Sequence, residues 1–192
     1  MSERRRRFTK ALYGFDAVVR RVPDDAWGRV SPCPGWTARA VTGHMIFGAR
    51  MLAVITGVGE QPTGSEEDVA TEDPATAWAA ALDDTLEGLD GPGVLEQEAE
   101  TPFGRMTIER FAGIFAVEPL IHTWDLAMAT GVDPALDADL CERGLRQVVK
   151  AGDMLRGPGL YGPPVAVGES ADIASRFIAL TGRDPSWTGD PG

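Results

Sequence analysis

Cationic residues, cysteines and strand-type patterns are all scarce in this sequence of 192 residues. Lys and Arg number 18 against 29 Asp and Glu, which gives a formal net charge of −11. Because phosphate binding requires a basic surface, this balance argues against nucleic acid as a partner. The exception is an arginine run at residues 4–7, which we interpret as the solvated start of a helix rather than as an anion site.

Cysteine is represented by only two residues, Cys33 and Cys141. They are too few and too scattered for a disulfide framework or for a cysteine-type zinc site. Cys33 is a candidate reactive thiol only if it is exposed beside a metal. For both cysteines we favour the simpler interpretation of a small packed side chain.

The sequence also shows no secretory or membrane-spanning pattern. No apolar region follows the arginine run, as a signal peptide would require. Residues 111–129 are long enough to cross a bilayer, but they contain two carboxylates, a histidine and a proline, which are costly in lipid. We therefore expect a cytoplasmic protein that does not contact a membrane.

Apolar residues recur at helical spacing through most of the chain. The predicted helices cover residues 3–21, 37–56, 73–89, 107–131, 137–152 and 170–180. We interpret 22–36, 57–73 and 157–168 as loops, 94–107 as a short hairpin or an extended connection, and 182–192 as irregular. The length and the 43% of hydrophobic residues fit a single domain spanning 1–192. The expected fold class is all-α, a four-helix bundle with additional short helices.

The stretch FAGIFAVEPLIHTWDLAMA, residues 111–129, places polar groups inside an apolar helix. Glu118, His122 and Asp125 follow one another at steps of four and three, so they lie on one stripe. A buried carboxylate costs several kcal/mol unless it is paired, hydrogen-bonded or bound to a metal. No Lys or Arg lies within the stretch, so the partners must come from another helix, from water or from an ion. Pro119 should kink this helix.

The chain's only other histidine, His44, lies on the apolar side of the helix at 37–56. If it faces Glu118 and His122 across the bundle, the three side chains form a His₂Glu set with an open fourth position, as in catalytic zinc-type sites. Asp125 would then accept a hydrogen bond from a ligating histidine.

Simpler interpretations stay open on spacing alone, because a Glu and a His four residues apart on a helix are common. Each histidine is then a satisfied core residue without a metal. Glu118 instead forms an ion pair with one of three arginines, and Asp125 binds Trp36 or caps a helix. The arginines in question are Arg39, Arg50 and Arg110.

Three segments resemble a known family. SPCPGWTARAVTGHM (31–45) and VEPLIHTWDLA (117–127) are similar to two motifs of the mycothiol-dependent maleylpyruvate isomerase N-terminal domain, a branch of the DinB-like superfamily. ALTGRDPSW (179–187) looks like the ending of a single-domain subfamily of metal-binding proteins in that group. The resemblance covers residues 5–187 and implies a DinB-like four-helix bundle. It also implies a divalent metal held by His44, Glu118 and His122.

The resemblance further implies chemistry with a low-molecular-weight thiol, such as mycothiol. We see no counterpart of the further C-terminal domain of the isomerase that names the family, so we expect the metal bundle and thiol use rather than maleylpyruvate isomerisation itself. Zinc is the expected metal, although nickel, iron or manganese also suit a His₂Glu set. Trp36 and Trp124 are candidate walls of a pocket.

Two functions from different classes therefore compete. The first is a metal- and thiol-dependent transferase or isomerase that acts on a small electrophile. The second is a non-catalytic metal- or ligand-binding bundle. The expected partners are a small-molecule substrate and a thiol, and a homodimer is left open.

Overall fold

The computed structural model describes residues 1–70, 73–101, 103–156 and 161–189, without the side chain of Glu67. Within these ranges the α-helices are α1 Glu3–Val19, α2 Ala38–Ile55, α3 Glu66–Val69, α4 Pro74–Asp90, α5 Ile108–Phe115, α6 Val117–Thr130, α7 Ala138–Ala151 and α8 Ile173–Leu180. Short 3₁₀ turns lie at Asp24–Ala26 and Gly152–Leu155. Strands β1 Glu98–Ala99 and β2 Met106–Thr107 pair antiparallel. The predicted all-α class is confirmed, and the segment at 94–107 is a short hairpin.

Side-chain caps decide where the long helices begin. The Thr37 hydroxyl accepts a hydrogen bond from the Ala40 backbone N–H, and Asp73 caps α4 with Pro74 in the first helical position. Asp137 and Asp172 cap α7 and α8 in the same way. Positions 37 and 73, at which the predicted helices begin, are the cap residues of α2 and α4.

Helix α6 lies at the centre of the fold and is buried on nearly every side. It packs against α1 and α2 on one side and against α7 on the other, while α2 also packs on α4 and α7 on α8. One apolar cluster is built around Phe15, Ile46 and Trp78, and a second around Ile121 and Phe177. Groups carried by α6 are therefore largely removed from water.

The predicted continuous helix at 107–131 is wrong, because the chain breaks at Ala116 into α5 and α6. Pro119 is the third residue of α6, and the first four N–H groups of a helix have no intrahelical partner. The proline therefore favours a new helix start over a kink. As a consequence Glu118 lies in the first turn of α6, where the helix dipole favours a negative charge.

The predicted loop at 57–73 is corrected in part, because it contains the short helix α3. Ser65 and Asp68 form a capping box, in which each side chain accepts a hydrogen bond from the other residue's backbone N–H. The predicted loop at 157–168 and the tail at 182–192 are only partly covered, since 157–160 and 190–192 lie outside the described residues. Across the part of the chain that is described, no helix combines the length and apolarity needed to cross a membrane.

Candidate metal centre

His44 on α2 meets Glu118 and His122 on α6. One nitrogen or oxygen atom from each of the three side chains lies within 4.8 Å of the other two. The His122 Nε2 and Glu118 Oε2 atoms are 3.4 Å apart. Tetrahedral coordination with metal–ligand bonds of about 2.1 Å separates neighbouring ligand atoms by about 3.4 Å. The donor set and its spacing therefore fit a divalent metal ion.

The His44 ring is oriented by a carboxylate from α3. Its Nδ1 lies 3.0 Å from Glu66 Oε2, which leaves Nε2 for other partners. The hydrogen bond from His44 lowers the pKa of Glu66, against the opposing effect of burial. Sequence reasoning missed Glu66, although the Ser65–Asp68 capping-box pattern was a readable signal for a helix start there.

The His122 ring is oriented in the same way by Asp125, whose Oδ2 lies 3.0 Å from Nδ1. Arg183 binds this carboxylate through two contacts, Nη2 to Oδ2 at 2.9 Å and Nε to Oδ1 at 3.2 Å. Burial raises the pKa of Asp125, but hydrogen bonds and charges from His122 and Arg183 together outweigh it and hold the pKa below its usual value. Asp125 is therefore an ionised acceptor that holds a proton on His122 Nδ1.

The pKa of His122 is shifted by burial and by its neighbours, since its side chain is only 5% exposed. Burial alone lowers the pKa of the imidazole, but hydrogen bonds to Asp125 and Glu118 raise it to about 9. Without a metal ion nearby, the two carboxylates keep His122 protonated on both ring nitrogens at neutral pH. A metal ion at this position would take over the role of that positive charge.

Glu118 is held by Tyr161, whose hydroxyl donates to Oε1 at 3.0 Å. This contact leaves Oε2 on the side of His122. Burial raises the pKa of Glu118, but the His122 hydrogen bond, the charges of the two histidines and the Tyr161 hydrogen bond together lower it below its usual value. Burial and the Glu118 charge raise the pKa of Tyr161 far above its ordinary value, so the phenol stays protonated as a hydrogen-bond donor.

The cluster is open on one side. His44 and Glu118 side chains are 27% and 23% exposed, whereas Asp125 is fully buried. The carboxylates of Glu66, Glu118 and Asp125 and the guanidinium of Arg183 surround the two histidines. With both imidazoles neutral, as metal ligands must be, two negative charges are left in excess, which matches the charge of a divalent cation.

Of the two candidate pocket tryptophans, Trp36 lies against the histidines. Its ring centroid is 5.0 Å from that of His44 and 5.9 Å from that of His122, with which it is stacked. Trp124 packs in the second apolar cluster and lines a separate surface cleft of about 220 Å³ with Leu136 and Asp172. The structure thus brings Trp36, rather than Trp124, to the imidazoles.

Cys33 is half-buried, and its Sγ lies 3.9 Å from Arg183 Nη2. Burial, followed by the charge of Asp125, raises the pKa of its thiol to about 11. The thiol is therefore protonated at neutral pH and is a poor nucleophile. Cys141 is fully buried, and burial raises its pKa to about 11 as well.

Two contacts of the cluster come from residues to which sequence reasoning gave no role, Tyr161 and Arg183. Tyr161 follows a Gly/Pro-rich segment, and Arg183 lies in the irregular tail. Arg183 is part of ALTGRDPSW, one of the three segments that resemble the family, but the resemblance gave it no role, and neither residue has a periodic relation to α6. Only the tertiary fold relates these residues to Glu118 and Asp125.

Comparison with known proteins gives one matching family. The sequence profile described as the mycothiol maleylpyruvate isomerase N-terminal domain matches residues 8–127. Rv0738, an uncharacterized protein of Mycobacterium tuberculosis, is 28% identical over 151 residues, or 78% of this chain and 80% of that protein. Rv0036c, an uncharacterized protein of the same organism, is 31% identical over an alignment of 137 residues that covers 62% of this chain and 52% of that protein. No solved structure matches the chain.

Proposed function

Because this chain belongs to the mycothiol maleylpyruvate isomerase N-terminal domain family, we propose that it binds a divalent metal and uses a low-molecular-weight thiol such as mycothiol. The metal ligands are His44, Glu118 and His122. The reaction is a transfer or isomerisation that acts on a small electrophile. Zinc is the metal that a His₂Glu set with an open position suits best, and nickel, iron or manganese are the alternatives.

The observation that carries this proposal is the way the two imidazoles are held. Each ring has its Nδ1 within 3.0 Å of a carboxylate, Glu66 for His44 and Asp125 for His122. Metal-ligating histidines generally donate their second ring N–H to such an acceptor, which fixes the tautomer and makes the ligand nitrogen more basic. Two unrelated core histidines would have no reason to share this arrangement. Here both rings have it, and their centroids lie 4.9 Å apart.

The side chains around the proposed metal have distinct roles. Glu66 and Asp125 hold protons on the Nδ1 atoms, so that both Nε2 atoms remain available as ligands. Trp36 covers the two rings on one side, and the exposed edge of His44 and Glu118 leaves a path for substrate. A divalent metal bound here would lower the pKa of a thiol or water in its open position and so supply a nucleophile at neutral pH.

Metal analysis of protein purified without a histidine tag tests the metal site. We expect about one equivalent of divalent metal per chain, lost in His44→Ala and in His122→Ala. Glu118→Gln should weaken binding strongly, while Glu142→Gln, which alters an exposed carboxylate on α7, should not. Less than about a tenth of an equivalent in the unaltered protein, even after incubation with zinc, would contradict the metal site.

Thiol chemistry is tested separately by following consumption of small electrophiles in the presence of mycothiol. We expect consumption that requires the thiol and the metal and that disappears in His122→Ala. If the protein retains metal but consumes none of a broad panel, the alternative of a non-catalytic metal- or ligand-binding bundle is correct.

A further inference from the structure

Two side chains that contact the proposed metal centre come from outside residues 8–127, the region that the family profile matches. The match ends at residue 127, whereas Tyr161 contacts Glu118 and Arg183 contacts Asp125. Both are largely buried, and their polar atoms face the carboxylates of α6. The later part of the chain therefore takes part in building the site.

The backbones that carry these two side chains approach each other closely at two glycines. Gly162 directly follows Tyr161, and Gly182 directly precedes Arg183. A β-carbon on Gly182 would lie 2.7 Å from Gly162 Cα, and the φ of Gly182 is +87°, a conformation that favours glycine. Only glycine at 182 allows this contact, which fixes the distance between the starting points of Tyr161 and Arg183.

A third residue secures the same two segments. The Arg156 guanidinium donates to the carbonyl of Gly162 and, at 3.0 Å, to the carbonyl of Leu180. A planar guanidinium with donors in fixed directions holds two acceptors at a defined separation. The two segments are thus connected both by direct backbone contact and through Arg156.

We infer that Tyr161 and Arg183, held at a fixed separation by the Gly162–Gly182 contact, are positioning residues of the metal centre. Tyr161 occupies Glu118 Oε1 and directs Oε2 toward His122. Arg183 donates hydrogen bonds to both carboxylate oxygens of Asp125, which fixes the plane of the carboxylate. The orientation of the His122 ring, which is hydrogen-bonded to that carboxylate, is fixed with it. The inference rests on the proposed metal function, and it makes residues 161–183 a determinant of metal affinity.

The first test compares conservative variants with matched controls. Tyr161→Phe removes a single oxygen atom, and Arg183→Lys keeps the charge but loses the two-pronged contact. We expect each to weaken zinc binding by about 10- to 100-fold in a competition titration with a chelator, as is usual for residues that orient metal ligands. Tyr13→Phe and Arg176→Lys alter an exposed tyrosine and an exposed arginine and should leave the affinity unchanged.

A second measurement does not depend on metal. Nitrogen-15 imidazole shifts of the metal-free protein report the tautomer and hydrogen bonding of each ring, and the chain has only two histidines. The His44→Ala variant identifies the His122 signals. We expect the His122 shifts to change in Arg183→Lys and in Tyr161→Phe, and to stay in place in both controls.

A third variant separates positioning from direct contact. Gly182→Ala touches no ligand, yet it should push the two segments apart and reduce zinc affinity by about 10-fold. Gly57→Ala is its control, because Gly57 has almost the same φ, +88°, with no atom within 4 Å of an added β-carbon.

The outcomes distinguish the two proposals. Zinc binding with unaltered affinity and unmoved imidazole shifts in Tyr161→Phe and Arg183→Lys would overturn the inference and leave the metal site in place. Absence of zinc binding by the unaltered protein, with His122 shifts that move in the two variants, would overturn the metal function and support the positioning roles. Absence of zinc binding with unmoved shifts would overturn both.

Discussion

Gly43 on α2 lies directly against the backbone of Glu66 on α3. A β-carbon at Gly43 would lie 2.2 Å from the Glu66 carbonyl oxygen and 3.0 Å from the Ala70 Cβ. This close approach holds α3 against α2 one residue before His44, so that the Glu66 carboxylate reaches the His44 ring. The glycine therefore has a role in the site although it has no side chain.

Gly43→Ala should separate α3 from α2 and remove the Glu66–His44 hydrogen bond. We expect a loss of about 1–3 kcal/mol in the free energy of unfolding, as is typical of overpacked sites. Zinc affinity should fall by about 10-fold, as in Glu66→Gln, because His44 loses its orienting partner. Denaturant melts and chelator competition measure the two effects.

The control for this substitution is Gly14→Ala on α1, where nothing lies within 4 Å of an added β-carbon. It should leave zinc affinity unchanged and stabilise the helix by up to about 1 kcal/mol. Equal effects of Gly14→Ala and Gly43→Ala would mean that α3 does not depend on the close contact.

The stability of the metal-free protein and its affinity for zinc should change with pH in opposite directions. Hydrogen bonds to Asp125 and Glu118 overcome the effect of burial and raise the pKa of His122 from 6.5 to about 9 in the folded state. The stability contributed by this proton is fully present below the unfolded value of 6.5 and is lost as the pH rises through 9. The metal-free protein should therefore lose stability across this window.

Zinc must displace the same proton, so its apparent affinity should rise by about tenfold per pH unit until the pH reaches the pKa of His122. Thermal melts of the metal-free protein and chelator-competition titrations of zinc across the window measure the two trends. A zinc affinity that is flat over this range would show that His122 is not a ligand that must lose a proton.

The thiol of Cys33 should react slowly at neutral pH, because burial and the charge of Asp125 raise its pKa to about 11. Alkylation by iodoacetamide should accelerate as the pH approaches that value. Cys33→Ala should retain metal binding and any thiol-dependent activity. Loss of activity with metal retained would instead assign a chemical role to this thiol, and mass spectrometry of the alkylated peptide separates Cys33 from Cys141.

The helices that the sequence predicted correctly are those marked by features close to them in the chain. The caps at Thr37 and Asp73 lie next to the backbone groups they satisfy, and helical periodicity identified the long helices. The break at Ala116 was missed because a proline fits a helix start as well as a kink, and periodicity does not distinguish the two. Helix α3 was missed because four residues are too few to show a period.

Spacing along a helix is enough to predict the all-α class and to place Glu118, His122 and Asp125 on one stripe. The packing of α2 and α3 against α6 is what makes His44 face them and what brings Glu66 to its ring. It alone brought Tyr161 to Glu118 and Arg183 to Asp125, across 43 and 58 residues of chain. Such contacts depend on how helices pack and where glycines let backbones approach, and no local pattern encodes them.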